Sequence, residues 1–128
     1  MVRGIIVGHG GFAEAMLKTA TQIVGVQPLI EIVSNTGLSG TLLNAKIKEA
    51  IQRDTKHETI VFVDLPGGSC TISCYNLLKN NNLNVICGVN LPILLEFFML
   101  REKYPARELV PILIKKGKDN IFKLEQKK

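Results

Sequence analysis

Tryptophan is absent from the 128-residue chain, and tyrosine occurs only twice. Single-stranded nucleic acid is usually held in a basic groove with stacking aromatics, so the basic excess of this chain does not point to a nucleic-acid partner. Cysteine is also scarce: Cys70, Cys74 and Cys87 are odd in number and contain no C-x-x-C pair. That pattern suits a reducing compartment better than a disulfide framework. His9 and His57 stand in no zinc-type spacing with the cysteines, so neither a metal nor another cofactor is expected. Apolar runs are short as well. Pro92, Glu96, Arg101 and Glu102 interrupt the longest one, well below the roughly 18 residues a membrane helix needs. Arg3 leads directly into an apolar strand-like run with no targeting segment before it, and a cytoplasmic domain is the expectation.

What is present describes one globular domain over residues 1–128. Hydrophobic residues make up 46% and charged residues 21%, which excludes a disordered tail or a collagen-like repeat. A chain of this length can bury about two-thirds of its unfolded surface. The net charge of +5 lies in the second half, largely in Lys115, Lys116, Lys118, Lys123, Lys127 and Lys128. Such a run reads as a solvated face or frayed terminus.

Strand and helix patterns alternate along the chain. Gly4 to Val7 is a buried-type strand, and the glycines of Gly8-His9-Gly10-Gly11 break it. Phe12, Met16, Ala20 and Ile23 then recur at helical spacing, with Leu17 and Val24 beside them. Leu29 to Val33 is a second strand, followed by a helix capped by Ser39 with Leu42, Leu43, Ile47, Ala50 and Ile51 as its stripe. Thr59 to Val63 is a third strand, and Ser69 is placed to cap the helix after it, which runs to a polar break at Asn80-Asn81-Asn82. Asn84 to Val89 is a fourth strand, with a helix expected from Ile93 to Lys103. Beyond Pro105 the pattern is ambiguous: Ala106 to Lys116 reads as a helix kinked at Pro111, and Leu109 to Ile114 equally as an edge or exchanged strand. The fold class is therefore α/β: an open, mainly parallel sheet with helices on both faces.

Ligands of such sheets bind beyond the carboxyl ends of the strands, at the point where strand order reverses. Three loops meet that description: Gly8 to Gly11, Asp64 to Ser69, and Gly88 to Asn90. His9 stands between glycines, which give an imidazole little to pack against and allow a bulky partner to approach. Imidazole suits proton transfer or phosphoryl acceptance near neutral pH. Asp64, at the end of the most apolar strand, is placed either to fix the tautomer of His9 or to close a turn before Pro66-Gly67-Gly68. Gly67, Gly68 and Ser69 are candidates to bind a phosphoryl group at a helix N-terminus. The first loop gives G-x-G-G with Glu14 in place of the last small residue of a dinucleotide fingerprint, and no P-loop motif occurs. A hydrolase built from Ser69, His9 and Asp64 would lack the G-x-S-x-G elbow.

These loops carry a specific resemblance. The runs Ile5-Ile6-Val7-Gly8-His9-Gly10-Gly11-Phe12-Ala13-Glu14, Val61-Phe62-Val63-Asp64-Leu65-Pro66-Gly67-Gly68-Ser69 and Gly88-Val89-Asn90-Leu91-Pro92 follow one another as in a known family. The chain resembles the IIA domain of the mannose/fructose/sorbose family of the bacterial phosphoenolpyruvate-dependent sugar phosphotransferase system. The resemblance implies that His9 takes a phosphoryl group from the histidine-containing phosphocarrier protein and passes it to a IIB domain, with membrane IIC and IID components downstream. It implies that Asp64 orients His9, that Gly67 to Ser69 border the site, and that the chain forms a homodimer with an exchanged C-terminal strand. A regulatory phosphohistidine module and the phosphotransfer component of a dihydroxyacetone kinase are the alternatives of similar type. Two positions depart from the family pattern. Gly8 replaces a common Ser or Thr, removing one hydroxyl, and Cys70 replaces a common Pro, where its thiol is either activated by the helix N-terminus or inert packing.

Overall fold

The computed structural model describes residues 1–78 and 83–127. The polar break at residues 80–82 lies outside the described residues, as do Lys79 and Lys128. The strands are β1 (Arg3–Gly8), β2 (Ile30–Ser34), β3 (Thr59–Val63) and β4 (Asn84–Cys87), and the helices α1 (Phe12–Val24), α2 (Gly40–Gln52), α3 (Ser69–Leu77), α4 (Leu91–Leu100) and α5 (Ala106–Asp119). All strand pairings are parallel, in the order β2-β1-β3-β4.

The two central strands, β1 and β3, are buried along their whole length, as expected where a parallel sheet is covered on both faces. Their side chains alternate between two cores. Ile6, Ile60 and Phe62 pack with Ala13, Ala20, Phe97 and Leu109 under α1, α4 and α5. Ile5, Val7, Val61 and Val63 pack with Leu43, Ile47, Cys70 and Cys74 under α2 and α3. From β1 the chain moves outward to β2 and then returns past β1 to β3 and β4, and right-handed crossovers put the helices of the two directions on opposite faces. Phe62 and Phe97 meet edge to face at 5.0 Å between ring centroids, and each contributes about 1.5–3 kcal/mol by burial.

The helices follow the sequence pattern, with corrections to which residues face inward. Ile23 is exposed, and the buried residues of α1 are Ala13 and Ala20. Leu42 is also exposed, while Leu43, Ile47, Ala50 and Ile51 form the buried stripe of α2. Ser39 does cap α2, its Oγ accepting from Leu42 N at 3.3 Å. Strand β4 ends at Cys87, two residues sooner than the apolar run, because the amides of Gly88 and Val89 both donate to Val63 O.

Residues 109–114 are helical, the reading that the sequence left open against a strand. Ala106, Leu109, Leu113 and Gly117 recur at helical spacing on the buried face of α5, and Pro111 points outward, where solvent can serve the carbonyl its ring leaves unbonded. Residues 121–127 adopt neither helix nor strand in the single chain, and Ile121, Phe122 and Leu124 are exposed. Among the described residues, no helix is long and apolar enough to cross a membrane.

Two arginines are buried in this frame. Arg3, 2% exposed, donates to the carbonyls of Ala50, Ile51 and Asp54, so its charge sits against the C-terminal end of α2, where cations are favoured. Arg101 secures the turn that enters β2, donating to Gln27 Oε1, Pro28 O and Leu29 O at 3.2, 2.7 and 3.4 Å.

Candidate functional site

The strand order reverses between β1 and β3, and their carboxyl ends deliver His9 and Asp64 side by side. Asp64 Oδ2 lies 2.8 Å from His9 Nδ1 and accepts the His9 backbone N–H at 2.9 Å. Asp64 Oδ1 accepts the N–H of Leu65 at 2.9 Å, so the residue also closes the turn behind it. Both roles open to it in the sequence are filled at once. Burial pushes the Asp64 carboxyl upward, but the three hydrogen bonds from His9 and Leu65, with the electrostatic attraction of His9, outweigh it and leave the carboxyl below its ordinary value. Stability from this carboxylate is complete above its unfolded pKa and fades as pH falls through the lowered folded value.

An ionised carboxylate only accepts hydrogen bonds, so the hydrogen between the two residues belongs to His9 Nδ1. In the neutral imidazole, Nε2 then carries the lone pair. The Asp64 side chain is 7% exposed and that of His9 39%: the anchor is buried and the ring faces outward. The Oγ of Ser69 lies 3.4 Å from Nε2.

Gly10 and Gly67 adopt φ of +55° and +82°, left-handed turns that residues with a Cβ enter at a cost. They fold the two loops around the imidazole. Gly68 has an ordinary extended backbone, and its requirement is steric: a Cβ there would lie 3.0 Å from His9 Cε1 and 3.4 Å from Nε2. Gly68 is also the residue that caps α3; Ser69 is the first helical residue and makes no capping bond. The expectation that Ser69 caps this helix is therefore corrected, and its hydroxyl is directed toward His9 instead. The amides that open α3 have no intrahelical acceptor, which makes this end of the helix favourable to an anion beside Nε2.

The third candidate loop does not join the site. Asn90 caps α4 by accepting from Ile93 N at 3.1 Å and donates to Gly117 O at 3.2 Å, so its side chain is committed to the fold. In its place the structure brings in the end of β2, which the sequence reading passed over. Ser34 Oγ donates to Gly10 O at 2.7 Å and Asn35 Oδ1 accepts from Gly10 N at 3.2 Å, tethering the His9 loop. The available signal was the polar turn Ser34-Asn35-Thr36-Gly37 directly after a strand.

Both departures sit in tightly packed surroundings. A Cβ at Gly8 would lie 3.0 Å from Phe12 Cδ1, so a Ser or Thr there requires the Phe12 ring to shift by a few tenths of an ångström. Cys70 is fully buried, and burial together with the nearby Asp64 charge pushes its thiol up, which removes the activated-thiol reading. Its Sγ nevertheless lies 3.9 Å from His9 Nδ1. His57 makes a similar pair with Asp54, Nδ1 to Oδ2 at 2.9 Å, but just before β3, at the end of that strand away from Asp64.

Fold and site together define a doubly wound α/β protein that presents an aspartate-held histidine at its switch point, beside a helix N-terminus. The family described as the PTS system fructose IIA component matches residues 4–113. The chain is 31% identical to the PTS system mannose-specific EIIAB component of Escherichia coli K12 over 133 aligned positions, which span 99% of this chain and 41% of that protein. It is also 31% identical to the PTS system fructose-specific EIIA component of Bacillus subtilis 168, over 86% of this chain and 77% of that one. Phosphotransferase system component EIIA from Streptococcus agalactiae superimposes with a TM-score of 0.88 at 23% identity, covering 96% and 97% of the two chains. The mannose/sorbose-specific IIA subunit from Enterococcus faecalis gives 0.82 at 25% identity, covering 98% and 96%. This chain belongs to the mannose/fructose/sorbose family of IIA components of the sugar phosphotransferase system.

Proposed function

We propose that the protein is a phosphoryl carrier that uses His9 Nε2 as its acceptor atom, receiving the group from the histidine-containing phosphocarrier protein and passing it to a IIB domain in the cytoplasm. The observation that carries this reading is the 2.8 Å contact of Nδ1 with the buried Asp64 carboxylate, while Nε2 faces Ser69 and the opening of α3. In the first transfer the donor's N–P bond breaks as Nε2–P forms; in the second that bond breaks as the acceptor's bond forms. The Nδ1 proton stays in place throughout, and Asp64 offsets the positive charge on the ring. Ser69 Oγ and the first amides of α3 are positioned to offset charge on the equatorial phosphoryl oxygens. Such a reaction handles the phosphoryl group alone, so the sugar is no ligand of this site. Homodimer formation through an exchanged C-terminal strand is supported by the exposed Ile121, Phe122 and Leu124 and by the open edge of β4.

The test is intact mass after incubation with phosphoenolpyruvate, enzyme I and the phosphocarrier, followed by location of the modified peptide. One acid-labile phosphoryl group on the peptide bearing His9 is expected, and a label on any other residue would reject the assignment. Two variants probe the positioning of the ring. Asp64→Ala removes the acceptor that selects the tautomer and should slow phosphorylation about a hundredfold or more with an unchanged circular dichroism spectrum; an unaltered rate would count against the orienting role. Gly68→Ala introduces a Cβ into the 3.0 Å approach to His9 Cε1, and its backbone conformation is one alanine adopts freely. Displacement of the ring should slow labelling about tenfold at nearly unchanged stability. Equal rates in quenched time courses would show that the ring yields without loss of aim.

A further inference from the structure

We infer that His9, Asp64 and Cys70 form a binding site for a thiophilic divalent cation of the zinc type, and that its occupation silences Nε2 of His9. The three residues each offer a metal-ligating atom, and these atoms all lie within 4.8 Å of one another. His9 Nδ1 lies 2.8 Å from Asp64 Oδ2 and 3.9 Å from Cys70 Sγ. Tetrahedral zinc, with bonds near 2.0 Å to nitrogen and oxygen and 2.3 Å to sulfur, sets those distances at about 3.3 and 3.5 Å. Each differs from its target by about half an ångström or less. The half-exposed imidazole leaves an approach from solvent, and a water can complete the coordination, while Ser69 Oγ stays on the Nε2 side of the ring.

The donor set decides the kind of ion. Imidazole nitrogen, carboxylate oxygen and thiolate sulfur together select zinc and its close analogues, whereas magnesium prefers oxygen alone. Charge balances as well. The thiol of Cys70 releases one proton to solvent on binding, and the resulting thiolate and the Asp64 carboxylate together neutralise the dication. The site also requires the residue in which this chain departs from the family pattern, since a proline at position 70 offers no ligand.

Its consequence for phosphoryl transfer rests on the reading of His9 as the acceptor. With the metal on Nδ1, the single proton of the neutral imidazole must sit on Nε2. That nitrogen then has no lone pair with which to attack phosphorus. The cation takes the place of the hydrogen that Nδ1 shares with Asp64, and in doing so reverses the tautomer that Asp64 otherwise enforces.

The experiment is a cobalt(II) titration of the intact chain followed by absorption spectroscopy, with zinc competition. One ion per chain with a thiolate-to-metal charge-transfer band is expected, abolished in Cys70→Ser and retained in Cys74→Ser and Cys87→Ser. Because Cys70 is fully buried, His9→Ala supplies a second variant that leaves the core intact; it should bind at least about tenfold more weakly. A wild-type chain without the band, or a band that survives in Cys70→Ser, overturns the site. In a parallel labelling assay zinc should suppress phosphorylation of the wild type in proportion to occupancy and leave Cys70→Ser labelled. Full labelling of the zinc-loaded protein would refute the silencing of Nε2. A chain that binds cobalt as described but is never labelled would instead refute His9 as the phosphoryl acceptor and leave the metal site standing.

Discussion

Replacement of His9 by alanine is expected to abolish phosphoryl labelling, whereas His57→Ala should be labelled like the wild type. Both histidines have an aspartate on Nδ1, at 2.8 Å from Asp64 and 2.9 Å from Asp54, so the comparison separates pairing from placement. Only His9 stands at the strand-order reversal, with Ser69 3.4 Å from Nε2 and the start of α3 adjacent. His57 pairs with an aspartate three residues away in a connector at the other end of the sheet, where the local turn accounts for the contact. The His9→Ala chain should stay folded. Asp64 keeps the backbone amides of His9 and Leu65 as donors, and loss of the ring bond costs about 1–3 kcal/mol. Intact mass and circular dichroism together check the result; a labelled His9→Ala chain would falsify the acceptor assignment.

The second large effect is on stability. Arg101→Ala should lower the unfolding free energy by about 3–5 kcal/mol, read from urea denaturation with an unchanged slope. The side chain is 2% exposed and serves three acceptors from consecutive residues, Gln27, Pro28 and Leu29. Its guanidinium also lies over the rings of Phe97 and Phe98, at 5.4 and 5.2 Å from their centroids. Burial pushes the guanidinium pKa down, opposed by Glu102, and the hydrogen bonds and rings compensate for the lost hydration. Truncation takes the donor from Pro28 O and Gln27 Oε1, while Leu29 O keeps the amide of Gly4, and it loosens the turn at Leu29, whose φ of +53° is a strained value for a leucine. Arg101→Lys should recover only part of the loss, because an ammonium cannot span the three acceptors or stack on the rings. An alanine variant within about 1 kcal/mol of the wild type would show that β2 enters the sheet without this clamp.

Much of this protein is determined locally and was legible without coordinates. The apolar runs at Gly4 to Val7 and Thr59 to Val63 are strands because β-prone residues cluster between turn formers, and those turn formers place His9 and Asp64 at strand ends. Helical spacing likewise identified α1 and α2, though not which apolar residues, Ile23 and Leu42 among them, would be left exposed.

The rest depends on contacts between residues distant in the chain. Residues 109–114 read as helix or strand until α4 supplies a surface for Leu109 and Leu113. Arg101 and Arg3 look like surface charges until their acceptors, more than 40 positions away, gather around them. Within the site, sequence supplied the residue types and their place at strand ends, while the tertiary structure decided that Ser69 faces His9, that Asn90 is spent on a cap and that Asn35 tethers the histidine loop. It also set Cys70 Sγ 3.9 Å from an imidazole 61 positions away. The physical reason is that periodicity and turn chemistry act within a few residues, whereas hydrogen bonding and ligand geometry are satisfied only when parallel pairing brings the ends of β1, β2 and β3 to one edge of the sheet.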